Sequence, residues 1–260
     1  MAEKPIVSFS GVNKTFLKDG SLFTACSDLS FSIQPGEVVA IVGETGCGKS
    51  TALSLLLGLQ EPSHGSVRVL EVDPFKDFHA LKGKLGIIFQ NDRLLPWRTA
   101  IENVAFGMEI LHISNSERMQ RAAHWLARVG LERFSNSYPH QLSGGMRQRV
   151  SIARTFALNP PLLLADEAFS ALDEITATAL RNDLLTMIGE ERKTTIFITH
   201  SVTEAAELAE RVLVFGRPGR VLSEVRAKDL IATGGTHADV ASEIRESMKS
   251  ARSTSAYSVA

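Results

Sequence analysis

The chain has 260 residues, 44% hydrophobic and 22% charged, with 28 Lys and Arg against 29 Asp and Glu. This profile suits one large α/β domain or a domain with small appendages, and it excludes wholesale disorder. A formal net charge of −1 argues against a broad nucleic-acid footprint, which needs a basic excess on one face, so no nucleic-acid partner is expected. No apolar run approaches the roughly 20 residues of a membrane span. The start, MAEKPIVSFSG, lacks the layout of a secretory signal, and two cysteines, Cys26 and Cys47, make no disulfide framework. The chain therefore reads as cytosolic.

In chain order, Ile6–Phe9 and Leu29–Ile33 alternate in polarity, which predicts half-exposed antiparallel strands. Val38–Val42 predicts a strand, followed by a Gly-rich turn and a helix over Ser50–Leu57. Gly86–Phe89, Leu162–Ala165, Thr195–Ile198 and Val212–Phe215 are nearly continuous apolar runs, the pattern of parallel strands covered on both faces. Between Asn91 and Pro160 helix signals dominate. Ser114 and Glu117 have capping-box spacing, and Met119, Ala122, Leu126 and Val129 then share a face. A second helix is predicted over Gly144–Leu158, with Met146, Val150, Ala153 and Ala157 inward. Ser201 and Glu204 form another capping-box pair, opening a helix through Ala209. Residues 217–251 read as short helices and the end, STSAYSVA, as frayed.

The sharpest local signal is Gly43-Glu44-Thr45-Gly46-Cys47-Gly48-Lys49-Ser50, followed by Thr51. It matches G-x-x-x-x-G-K-[ST] between a strand and a helix, the context in which backbone amides cradle phosphates. Lys49 would neutralise β- and γ-phosphates, and the Ser50 hydroxyl would ligate Mg²⁺. The plain alternative is a Gly-rich turn that only joins strand to helix. A second acidic source follows in Leu162-Leu163-Leu164-Ala165-Asp166-Glu167, an apolar strand ending in two carboxylates. Asp166 would hold the metal and Glu167 would orient or deprotonate water, which favours hydrolysis over transfer to a protein acceptor. The alternative here is an acidic pair facing solvent.

Leu142-Ser143-Gly144-Gly145-Met146-Arg147-Gln148-Arg149 resembles the signature motif of the ABC transporter ATPases. Gln90 resembles the Q-loop glutamine, Ser170-Ala171-Leu172-Asp173 the D-loop, and His200 the switch histidine. Phe16 stands where the family places an aromatic that stacks on adenine, although Phe23 is an alternative. The resemblance covers about residues 5–216. It implies an α/β, P-loop NTPase (RecA-like) core with a mostly parallel sheet, an N-terminal antiparallel β subdomain and an inserted α-helical subdomain at about 91–160. Residues 217–260 would form a short C-terminal extension. It further implies ATP and Mg²⁺ as ligands, with Ser50, Gln90 and Asp166 at the metal. Ser143, Gly144 and Gly145 would face the γ-phosphate on a partner's P-loop, and Glu167, His200, Lys49, Gln90 and Asp173 would serve catalysis. The family often has proline after the Asp-Glu pair, where this chain has Ala168.

The run Gln90–Val104, with Leu94, Leu95 and Trp97, resembles importer ATPases of the nitrate, sulfonate and taurine group. Those three apolar residues lack periodicity, so they fill a local core or form the groove that receives a permease helix. The implied partners are a second identical ATPase subunit, transmembrane permease subunits and, indirectly, an extracytoplasmic solute-binding protein. The implied location is the cytoplasmic face of the inner membrane. Exporter or lipoprotein-release ATPases, ATPases of repair or translation, and small-molecule P-loop kinases are the rival classes. Cys47, at a helix N-terminus, is expected to have a lowered pKa and to react with thiol reagents, or else to be an inert packed residue.

Overall fold

The computed structural model describes residues 4–18 and 20–256. Its elements run β1 (Val7–Lys18), β2 (Ser21–Ile33), β3 (Val38–Gly43), α1 (Lys49–Leu56), β4 (His64–Val69), β5 (Leu85–Phe89), α2 (Ala100–Ile110), α3 (Asn115–Arg128) and α4 (Gly144–Ala157). They continue as β6 (Leu162–Asp166), α5 (Glu174–Glu190), β7 (Thr194–Thr199), α6 (Val202–Leu208), β8 (Arg211–Gly216), β9 (Arg220–Val225), α7 (Ala227–Ala232) and α8 (His237–Ala256). One unit is built from the chain up to Leu81 and from Ile196 onward, the other from Lys82–Thr195.

In the first unit, β2, β1 and β4 form an antiparallel sheet. The two N-terminal strands are far longer than their alternating stretches suggest. The reason is irregular register: β1 shifts against β2 between Phe9 and Val12, again before Lys14, and again before Thr15. Each irregularity breaks the period-two pattern that marks a strand in sequence. The unit's other sheet places β3 beside β8 in parallel, with β9 antiparallel on the far side of β8. Val39, Ala40, Ile41 and Val42 are buried, as are Val212, Leu213 and Val214 opposite them. Such strands are apolar on both faces because both faces are covered.

The region after Gly216 holds one short helix of the kind expected, α7, beside elements that were not expected. Arg220–Val225 is a strand whose polar residues carry no strand pattern, and α8 runs 20 residues. Val240, Ala241 and Ile244 bury one stripe of α8. The last four residues of the STSAYSVA end lie outside the described residues.

The second unit pairs β5 with β6 in parallel, Phe89 opposite Asp166, and carries α2 to α5. Ser114 and Ser201 both accept a backbone N–H three residues on, but neither box closes. Thr99 and Glu102 close one instead, opening α2. On α3 Ala122, Leu126 and Val129 are buried as expected, joined by Trp125, while Met119 is only half-buried. On α4 the buried face is wider than the apolar stripe: Gln148, Ser151 and Thr155 are buried beside Val150, Ile152, Ala153 and Phe156. Met146 is half-buried rather than core.

Candidate functional site

In the first unit, β3 stops at Gly43 and the chain turns into α1, whose first-turn amides have no intrahelical partners. Lys49 is buried, and its Nζ donates to the carbonyls of Gly43 (2.6 Å) and Glu44 (3.1 Å). The ammonium is thereby held at the loop by carbonyls, where its charge adds to the positive end of α1 in attracting an anion. Ser50 stands exposed in the first turn, with Thr51 behind it. Gly48 (φ +108°) adopts a backbone that favours glycine, and a Cβ there would come within 2.7 Å of the Ala25 carbonyl. The strand β2 therefore passes directly against the loop. Two residues before Ala25, Phe23 is half-exposed and lies opposite Phe16 in the β1–β2 register. Lys14 Nζ sits 5.0 Å from the Phe16 ring centroid.

Cys47 corrects an expectation. Its side chain is 2% exposed, and burial pushes the thiol above its ordinary value despite the opposing charge of Lys49. Desolvation outweighs the helix terminus because the thiolate would lose water on all sides. Its neighbour Cys26, also buried, is pushed up to about 11. Alkylation of the native protein at neutral pH should therefore run at least about tenfold slower than in denaturant. Equal labelling rates in the two conditions would contradict that burial.

His200 follows β7 and is exposed. Its chain neighbours are pinned. Thr199 Oγ1 accepts the Ser201 N–H (3.0 Å) and is hydrogen-bonded to the Glu204 carboxylate, while Ser201 Oγ caps Glu204 N–H (3.2 Å).

In the second unit, Gln90 is exposed immediately after β5, and Asp166 closes β6. Glu167 takes φ +48°, a left-handed conformation uncommon for a residue with a Cβ and worth noting at a candidate catalytic position. The Ser170 N–H (3.1 Å) and hydroxyl (2.9 Å) both donate to the Glu167 carbonyl, which fixes the turn through the main chain. Ser143 is the N-cap of α4, accepting from Met146 N–H (3.3 Å), and Gly144 and Gly145 form the first turn. Asp173 caps α5 through Thr176 N–H (3.0 Å), and that hydrogen bond holds its carboxyl below the usual carboxylate range.

Three residues that received no role in the sequence reading organise these segments. Buried Gln148 donates from Nε2 to the carbonyls of Phe89 (3.1 Å) and Ala168 (2.8 Å), the neighbours of Gln90 and Glu167. Arg147 Nε pairs with Asp92 (3.0 Å), and Arg154 donates to the carbonyls of Asp92 (2.7 Å) and Arg93 (2.9 Å). Gln148, Ser151 and Thr155 recur at helical spacing, but Arg147, Arg149 and Arg154 on the same helix hide that stripe in the sequence.

The loop after Gln90 is fixed equally from α2. Asn103, fully buried, accepts Leu95 N–H (2.7 Å) and donates toward the carbonyls of Leu95, Arg98 and Thr99. The three apolar loop residues consequently diverge: Leu94 is buried, Leu95 half-buried and Trp97 71% exposed. Nearby, a groove of about 360 Å³ is lined by Ile87, Phe89, Arg93, Phe106, Ile110 and Leu158.

The family model described as ABC transporter matches residues 26–170, from β2 through the residues after Glu167. The chain belongs to the ABC transporter family. This ABC ATPase is 40% identical over 220 residues to the nitrate import ATP-binding protein NrtD of Synechococcus elongatus, covering 84% of this chain and 79% of that one. It is 41% identical over 202 residues to the taurine import ATP-binding protein TauB of Shigella sonnei, covering 77% and 78%. Among solved structures it is similar to the ATP-binding cassette MJ0796, a dimer in a post-hydrolysis state bound to ADP and Pi. The TM-score is 0.74 at 34% identity, covering 85% of this chain and 98% of that one. The fold is thus that of the ABC ATPases, and the ABC ATPase couples ATP hydrolysis to transport.

Proposed function

We propose that this ABC ATPase powers solute import through a separate membrane permease, working as a head-to-tail pair of identical chains at the cytoplasmic face of the membrane. The observation that carries the importer reading is the hydrogen-bonded loop after Gln90, which leaves Trp97 exposed and contributes Arg93 to the lining of an apolar groove. Asn103, Arg147 and Arg154 make that loop stiff, and a stiff apolar knob suits docking of a partner helix. The relatives named for nitrate and taurine import support the importer reading, in which an extracytoplasmic binding protein would present the solute to the permease. Among the described residues no helix is long and apolar enough to cross a membrane.

The chemistry follows from the residues. The P-loop amides, Lys49 and the α1 terminus bind the nucleotide phosphates. Ser50 in the first unit and Gln90 and Asp166 in the second each carry a hard oxygen donor. That donor set suits Mg²⁺ shared with phosphate oxygens, where the ion would offset phosphate charge. Glu167 orients the attacking water and accepts its proton, and His200 steadies the γ-phosphate and that water. Phe16 or Phe23 stacks on adenine. Ser143, Gly144 and Gly145 at the head of α4 engage the γ-phosphate held by the partner chain, near which Asp173 also lies, so that ATP binding favours the closed pair. Replacing Trp97 with Ser should leave ATP affinity of the isolated chain within about twofold and cut solute uptake in cells at least about fivefold. Unchanged uptake would remove the docking role.

A further inference from the structure

Arg217 lies beyond the segment matched by the family model, in the turn between β8 and β9. Its Nη2 donates to the Thr45 carbonyl at 2.9 Å. The contact is close: a Cβ on Gly46 would come within 2.6 Å of the same nitrogen, and Gly46 itself takes φ +77°. The turn that carries Arg217 is anchored on both sides. Gly219 N–H donates to the Ala25 carbonyl (2.8 Å), Ser27 N–H donates to the Gly219 carbonyl (3.0 Å), and Gly216 pairs with Arg220. Among the described residues no carboxylate pairs with Arg217.

Three successive P-loop carbonyls are therefore bonded by cations. Lys49 takes those of Gly43 and Glu44, and Arg217 takes that of Thr45. In a trans peptide the carbonyl and the following N–H point in opposite directions. A guanidinium that holds the Thr45 carbonyl toward itself thus turns the Gly46 N–H away from Arg217. Consecutive amides turned to one side make an anion-binding concavity. We infer that Arg217 is a positioning residue of the phosphate cradle: it sets the Thr45–Gly46 peptide so that the Gly46 N–H serves the nucleotide phosphates, and adds a positive charge that no carboxylate offsets. Arg217 acts through the loop rather than by touching the reacting atoms. The inference rests on the P-loop being the phosphate site, so its test carries a control for that reading.

Arg217→Ala, Arg217→Lys and Lys49→Ala would be compared with the unmodified full chain. Titration calorimetry with MgADP gives Kd, steady-state hydrolysis gives KM and kcat for ATP, and thermal denaturation gives Tm. Arg217→Ala should raise Kd and KM about tenfold while kcat stays within about twofold. Arg217→Lys, which keeps one charged donor, should bring both back to within about threefold. Unchanged Kd in Arg217→Ala, with Kd weakened in Lys49→Ala, would overturn the inference alone. Unchanged Kd in Lys49→Ala would overturn the phosphate-site reading and this inference with it. A lowered Tm with equal losses in kcat and affinity, and no rescue by lysine, would reduce Arg217 to a support for the turn and likewise overturn it.

Discussion

Replacing Glu167 with Gln should lower kcat for ATP hydrolysis about 10²- to 10⁴-fold, the range expected when a positioned general base loses its proton acceptor. Glutamine keeps the size and most of the polarity of the side chain, so the substitution isolates the proton-accepting step. The turn at Glu167 is held by its own carbonyl, which accepts from the Ser170 N–H and hydroxyl. Those bonds do not involve the carboxylate, so the main-chain turn persists in the variant. Asp166, which ends β6 in register with Phe89, is untouched, so the oxygen donor assigned to the metal persists. With binding intact and turnover removed, ATP should drive the variant into a closed dimer that elutes at twice the monomer mass in gel filtration. Retained turnover would take the general-base role from Glu167, and a strictly monomeric profile in MgATP would defeat the paired-chain mechanism.

The candidate phosphate loop was legible because it is local. The run Gly43–Ser50 encodes its loop, cation and hydroxyl in eight consecutive positions, and the strand ending in Asp166 and Glu167 places two carboxylates by chain order alone. The head of α4 was equally readable, since Ser143 followed by two glycines is both a cap and a helix start. Properties that depend on distant partners were not readable. Cys47 sits at a helix terminus in sequence, but its burial against the rest of the unit decides its pKa. Leu94 and Trp97 look alike as apolar loop residues, and bonds from distant residues, Asn103 on α2 and Arg147 and Arg154 on α4, fix the loop in which one turns inward and the other outward. The length of β1 was hidden by its own irregular register, and β9 by its polar composition. Gln148 was visible only as part of a motif, because its two acceptors lie 59 and 20 residues away.

That last residue supports the second large effect. Gln148→Leu should lower stability by about 2–4 kcal/mol, since removing a buried partner costs roughly 1–3 kcal/mol for each group left without its donor. For a chain of this length the Tm should fall by roughly 5–15 °C. Leucine nearly matches glutamine in volume, so cavity formation contributes little and the lost hydrogen bonds dominate. The kinetic consequence is specific. The carbonyls that Gln148 holds belong to Phe89 and Ala168, so loosening them frees the backbone around Gln90 and Glu167. The P-loop has its own internal bonds from Lys49 and Cys47 and is untouched by the change. Below the melting transition, kcat should therefore fall at least about tenfold while Kd for MgADP stays within about threefold, because misplacing a base by a fraction of an ångström is costly to turnover. Gln148→Glu should be at least as damaging, because a carboxylate has no donor for either carbonyl and its charge would be buried there. Thermal denaturation and steady-state kinetics on both variants check this. A Tm within 2 °C of the unmodified chain, or equal losses in kcat and affinity, would show that the amide bridge does not hold the catalytic segments.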